Sequence, residues 1–243
     1  MKCKKVNKIF TKLVLLLCIV IVTITLYLIA MSYIEKRNSI NGNEELIQEV
    51  VNSDTTEIDW NKLKEINPDI VGWIIVPGTN INYPILKTNN DLYYLTHTYE
   101  KEYNKNGSII ITDENTNLFN DNEISIYGHN MRNGNMFSIL KNYMDSNFFT
   151  SHQKLYIYTP ECDYEGSIFS VFSSNVFREE SNVKELEFID KLEYYKIKSV
   201  HNSSLELENT DKIIRLITCS YLNTTTNPTQ ERYYIIASLK KIN

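Results

Sequence analysis

The sequence predicts a mainly β fold, a closed or nearly closed barrel of short strands with one or two helical insertions, preceded by one transmembrane helix. Three observations predict it. Leu13 to Ile34 is a run of 22 residues without a charge. Beyond it, short apolar, β-branched runs recur between clusters of Gly, Pro and Asn turn chemistry. Among them, Lys184–Lys196 stands out by helical spacing, with Leu186, Ile189, Leu192 and Tyr195 marking one side. No internal repeat or low-complexity tract is present, and one globular domain fits the length.

The uncharged run comes first. At ~1.5 Å per residue it spans roughly 33 Å, enough for a bilayer core. Lys2, Lys4, Lys5, Lys8 and Lys12 precede it, and no acid occurs before Glu35. That asymmetry predicts a cytoplasmic tail at 1–12, a signal anchor at 13–34 and an extracellular remainder, a single-pass protein of the cell membrane. A cleaved signal peptide usually has an apolar region of about 7–15 residues and small residues at the cut. This run is longer, and Ala30-Met31-Ser32 is a poor cleavage site. Cys18 follows Leu15-Leu16-Leu17, but the apolar run continues past it, which argues against a lipid-modified cysteine.

Residues 35–56 are polar and read as a stalk, with a helical patch at 44–51. The globular domain is expected at 57–243. Asp59 can cap a helix in which Trp60, Leu63 and Ile66 share a face, with Pro68 just beyond. Strands are expected at 70–76, 81–86, 108–112, 123–127, 154–159, 167–172, 204–207, 213–218 and 233–239, with Pro84 suggesting an edge or a bulge. Helical turns are expected at 92–95 and 136–143.

Composition excludes some functions. Past the five N-terminal lysines, 20 basic residues face all 30 acids, a formal charge of −10. Such a surface is a poor nucleic-acid binder. Asp113-Glu114-Asn115-Thr116-Asn117 starts like a calcium loop, but Leu118 stands where the turn glycine belongs and Ile124 where the bidentate acid belongs. No Cys/His cluster has zinc spacing, and nothing calls for a cofactor. Of four cysteines, only Cys162 and Cys219 lie beyond the anchor. An extracellular pair invites a disulfide reading, but a fold of about 190 residues does not need that staple.

Three side chains carry candidate chemistry. Cys219 ends the apolar run that starts at Ile213. A lone cysteine there is ordinarily a small buried hydrophobe, but this one meets polar Ser220 and a loop. His129 follows Tyr127-Gly128 at the end of another strand-like run and opens a loop, where a rigid sheet presents functional groups. Arg232 opens the last apolar run; an ordinary strand-end charge is the plain reading, yet it offers a permanent donor fork. Together they supply a thiol nucleophile, a proton partner and an oxyanion donor.

From about Asp59 to Ile242 the chain resembles a sortase, and within sortases class B. The resemblance rests on Asn67–Ile74, Tyr83-Pro84-Ile85, Tyr94-Leu95, Gly107-Ser108-Ile109, Tyr127–Met131, Met136-Phe137, the Leu-x-Thr-Cys at Leu216–Cys219, and Arg232, all in shared order. The class assignment leans on the helix before the cysteine-bearing strand. The resemblance implies an eight-stranded β-barrel with N-terminal helices, and a cysteine transpeptidase that attaches secreted proteins to the cell wall of Gram-positive bacteria. It implies Cys219 as nucleophile, His129 as acid/base and Arg232 as stabiliser of substrate or oxyanion. It also implies a substrate wall that includes Leu95, Ser173, Phe177, Thr218 and Ser220. Ile217 stands where a serine is common in the class. The implied partners are secreted proteins with an Asn-Pro-x-Thr-x-like sorting motif, and peptidoglycan or its lipid-linked precursor. Two other readings use the same residues differently: an extracellular cysteine endopeptidase with water as acceptor, and a non-catalytic surface barrel with an inert Cys219.

Overall fold

The structure, a computed structural model, describes residues 2–51, 57–90, 92–112, 114–207, 212–222, 224, 226 and 228–242, without the side chains of 2–7, 35–36 and 38–42. Residues 52–56 of the expected stalk, Asp113 of the calcium-like segment, and Asn223, Thr225 and Asn227 of the loop after Cys219 lie outside the described residues. The chain divides into two compact units, 1–44 and 45–243.

The first unit is helical. Helix α1 runs Lys2–Val50. Its stretch Lys8–Ile34, 27 residues that include an unburied 18-residue window of mean hydropathy 3.1, is long and apolar enough to cross a bilayer. A membrane anchor or a signal segment both fit it.

The second unit is a closed, mixed barrel of eight strands: β1 (Ile70–Ile75), β2 (Asn82–Leu86), β3 (Ile109–Ile111), β4 (Glu123–Tyr127), β5 (Lys154–Tyr158), β6 (Asp163–Asn175), β7 (Ile213–Cys219) and β8 (Glu231–Lys241). Around the barrel the order is β1-β2-β3-β4-β7-β8-β6-β5, and β5 returns to β1. Pairs β2/β3 and β4/β7 are parallel; the others are antiparallel. Pro84 lies inside β2, not on an edge. Pairing of β2 with β3 begins only at Ile85, one residue past the proline.

Helices cover the outside. Asp59 caps α2 (Trp60–Ile66) by accepting from the Lys62 amide at 3.0 Å. Short α3 spans Ser146–Ser151, and 3-10 turns occupy Tyr93–Leu95, Leu118–Asn120 and Ser138–Met144. The amphipathic helix expected at 184–196 forms as α5 (Phe188–Lys198), starting four residues later, and a further helix that was not expected, α4 (Val176–Val183), precedes it. The strand expected at Ser204–Leu207 does not form.

Three apolar clusters result. Ile74, Ile85, Ile126, Leu155, Leu216 and Ile235 fill the barrel. Outside it, Leu192 and Tyr195 of α5 seal Ile213, Ile217, Tyr234 and Ile236. On another face, Leu46, Val50 and Leu63 pack on Trp73, Leu86 and Ile110. Strand β7 is therefore buried on both faces, which explains its unbroken apolar reading.

Candidate active site

Strand register brings the three candidate residues to one end of the barrel. β4 and β7 run parallel with Tyr127 opposite Ile217. Two residues further on each chain stand His129 and Cys219, so both leave the sheet abreast of each other at neighbouring strand ends. On the other side of β7, Cys219 is the register partner of Arg232, and Arg232 in turn of Ser174 on β6. Side chains of registered partners share a face. Cys219 alternates with Ile217 and Ile213, which lie under α5, so it projects from the outer face of β7.

Each residue is held by backbone. The Gly128 amide donates to the Ile217 carbonyl at 3.2 Å and the Thr218 hydroxyl to the Gly128 carbonyl at 2.7 Å. Gly128 has to be glycine: a Cβ there would lie 2.5 Å from the Ile109 side chain and 2.8 Å from Phe137. The loop beyond closes by the Phe137 amide on the His129 carbonyl at 3.0 Å and by a bridge between Asn130 and Met136. Asn130 donates its side-chain amide to the Cys219 carbonyl at 2.7 Å. The His129 ring places Nε2 2.8 Å from the Leu95 carbonyl. Arg232 donates from Nη1 to the carbonyls of Thr229, 2.7 Å, and Glu231, 2.9 Å. The Cys219 thiol is free and half-buried.

The residues expected on the substrate wall divide into two groups. Phe177, in the first turn of α4, is 68% exposed, and Ser173 and Leu95 are half-buried. Thr218 and Ser220 are buried instead. The Thr218 hydroxyl is engaged by Gly128, and the Ser220 hydroxyl accepts from Ser173 at 2.8 Å. Here the geometry departs from the expectation of substrate contact: both side chains brace the strand end, because residues next to an outward Cys219 point the other way in a pleated strand. Asn130 was not singled out from the sequence; its only sequence signal was its place directly after His129.

One charged network lies on the same outer face, one rung below Tyr127 and Ile217. Arg215, only 4% exposed, donates to Ser125 Oγ from Nη2 at 2.6 Å and from Nε at 2.9 Å. It lies 3.1 Å from Glu123 and 3.3 Å from Glu180 of α4. Burial pushes the Glu123 carboxyl up, but Arg215, Lys191 and the Tyr195 hydroxyl outweigh it and hold it below the ordinary glutamate value. Burial raises Glu180, only partly opposed by Arg215. Lys198 of α5 binds Glu179 of α4 and, at 3.2 Å, Ser174 of β6. These contacts fasten α4 and α5 to the strands that end beside Cys219. Among the described residues no cluster of side chains is arranged to hold a metal ion.

The sortase domain family matches residues 74–240. The chain is 37% identical to sortase B of Listeria monocytogenes over 160 residues, 65% of each chain. It is 30% identical to sortase B of Staphylococcus aureus over 96% of this chain and 98% of that one. A solved sortase B–substrate complex from Staphylococcus aureus superposes with a TM-score of 0.67 at 26% identity, covering 87% of this chain and 95% of that one. With its eight-stranded barrel and a cysteine, a histidine and an arginine gathered at one rim, the chain belongs to the sortase family and, within it, to the sortase B group of cysteine transpeptidases.

Proposed function

We propose that this chain is a membrane-anchored transpeptidase that cleaves a sorting motif of secreted proteins after a threonine and transfers the protein to an amine of peptidoglycan or its lipid-linked precursor. The observation that carries this reading is the row His129, Cys219, Arg232 at adjacent strand ends, set by the pairing of Tyr127 with Ile217 and of Cys219 with Arg232.

The chemistry has two halves. The Cys219 thiolate attacks the threonine carbonyl, and the oxyanion of the tetrahedral intermediate is met by Arg232. The C–N bond breaks, the leaving amine takes a proton from His129, and a thioester remains on Cys219. An incoming amine then attacks the thioester, His129 recovers a proton, and the thiolate leaves. Phe177, Ser173 and Leu95 are the residues assigned to the substrate wall, and an Asn-Pro-x-Thr-x-like motif is the peptide class assigned to it. The apolar part of α1 serves as the anchor, with the lysine-rich tail in the cytoplasm.

The test incubates the detergent-solubilised chain with Thr-containing sorting peptides and a glycine-based or diamino-acid amine, with products read by mass. A peptide joined to the amine supports transfer. Release of the free acid alone, at any amine concentration, makes the protein an endopeptidase, and no cleavage with an unreactive Cys219 makes it a surface barrel. External protease on intact cells checks the topology, with loss of the barrel and retention of a small N-terminal stub as the expected result.

A further inference from the structure

The geometry points to Gly107 as a positioning residue for His129, acting through the backbone carbonyl of Leu95. The inference rests on the reading of His129 as the proton carrier and adds which ring nitrogen carries the proton.

A carbonyl oxygen can only accept. The 2.8 Å approach of His129 Nε2 to the Leu95 carbonyl therefore places a hydrogen on Nε2. In the neutral ring, Nδ1 is then the basic nitrogen. It takes the proton from the Cys219 thiol, giving thiolate and imidazolium, and later delivers one proton to the leaving amine. Nε2–H stays on Leu95 throughout, so the ring keeps its orientation while its charge changes.

Leu95 can serve this way because its turn is pinned on both sides. The Ser108 amide donates to the Tyr94 carbonyl at 2.8 Å, and the Ser108 hydroxyl to the His97 carbonyl at 2.9 Å. Gly107, directly before Ser108, lies against the same turn with φ +59°. A Cβ on residue 107 would stand 2.6 Å from the Leu95 carbonyl oxygen and 2.6 Å from that of Tyr94. Both are backbone atoms and cannot swing aside, so any side chain moves the Leu95 carbonyl off His129. Two separate demands thus meet at Gly107, a left-handed backbone and the absence of a Cβ.

The experiment uses the full chain in detergent with 15N-labelled histidine. Four histidines give few signals, and His129→Gln assigns the one of interest. At a pH where the ring is neutral, His129 should show a pyrrole-type Nε2 and a pyridine-type Nδ1, and the same pattern in the inactive Cys219→Ala protein. Gly107→Asn tolerates the left-handed backbone but keeps the clashing Cβ. It should lose the Nε2–H preference and lower kcat/KM roughly 10–100-fold, the order expected when a reacting group is displaced by about an ångström. A pyridine-type Nε2, or no tautomer preference, in the unmodified chain overturns the inference even if Gly107→Asn fails to fold. Gly107→Asn with an unchanged His129 pattern overturns it as well. Since the tautomer is read without turnover, either result stands apart from whether the chain is a transpeptidase.

Discussion

Asn130 holds the carbonyl of Cys219 with its side-chain amide, 2.7 Å across two strands that meet in parallel. The residue after the histidine thus fastens the residue that carries the thiol. Parallel strands β4 and β7 pair only as far as Tyr127 and Ile217, so beyond that point their relative position depends on such side-chain contacts.

Asn130→Ala should therefore loosen the site more than the fold. The Cys219 carbonyl loses a partly buried donor, a loss of about 1–3 kcal/mol. Transfer should fall at least tenfold, with a modest drop in the thermal midpoint. Asn130→Asp replaces the donor by an acceptor facing a carbonyl and should be worse. Steady-state rates beside melting curves check both; unchanged rates in either variant remove Asn130 from the site.

Cys219→Ala should abolish cleavage and transfer, whereas Cys162→Ala should keep most of both. Cys162 directly precedes β6, and β6 reaches the level of Cys219 only at Ser174. Eleven residues of strand are roughly 35 Å, far beyond disulfide reach. Equal loss from the two substitutions, measured on peptides by mass, contradicts this separation.

Arg232→Lys should lower kcat/KM by about 10²–10³, the usual loss for an oxyanion donor. One nitrogen of Arg232 is occupied by the Thr229 and Glu231 carbonyls, which sets the plane of the fork. A lysine ammonium has no plane to set. Alkylation of Cys219 should persist and the melting temperature should barely move. Near-normal turnover leaves Arg232 only a general electrostatic role.

Acid should weaken the fold through Glu123. Its carboxyl is held below the ordinary value of 4.5, so its stabilising contribution is complete well above that value and is lost as pH falls from there through the lowered folded value. Glu123→Gln should thus be less stable than the unmodified chain at pH 7. The two melting curves should converge as pH drops toward 3. A gap that stays constant with pH refutes the assignment.

Tyr234→Phe should be neutral or slightly stabilising. The side chain is fully buried and stacks on Phe172 at 5.0 Å, but its hydroxyl has no protein partner among the described residues. Removing a polar group without a partner relieves a desolvation cost of about 1–3 kcal/mol. A drop in thermal midpoint of several degrees reveals a hydrogen bond made by that hydroxyl.

Strands β7 and β8 were legible because they are buried on both faces and read as continuous apolar runs that end at Cys219 and begin at Arg232. The helical insert was legible as a region but not in its parts. Glu179 and Glu180 look like surface charges in sequence, yet Glu179 is fully buried against Lys198 and Glu180 meets the buried Arg215. Burial of a paired charge leaves no periodicity to read, so the first of the two helices went unseen. Ser204–Leu207 alternates like a strand but finds no partner, since β8 and β4 already flank β7. Cross-strand clips such as Asn130 to Cys219 depend on register between segments 89 residues apart, which no local pattern encodes.

Closure of the barrel has a consequence for how a peptide can be read. Every strand of the sheet has a neighbour on each side, so an extended chain cannot be taken up as a ninth strand along the wall. Main-chain recognition, which is indifferent to sequence, is thus denied along the wall to any unfolded polypeptide. Contact is confined to the rim, where side chains project and sequence can be discriminated. The same closure withholds the unpaired edges on which other chains could aggregate.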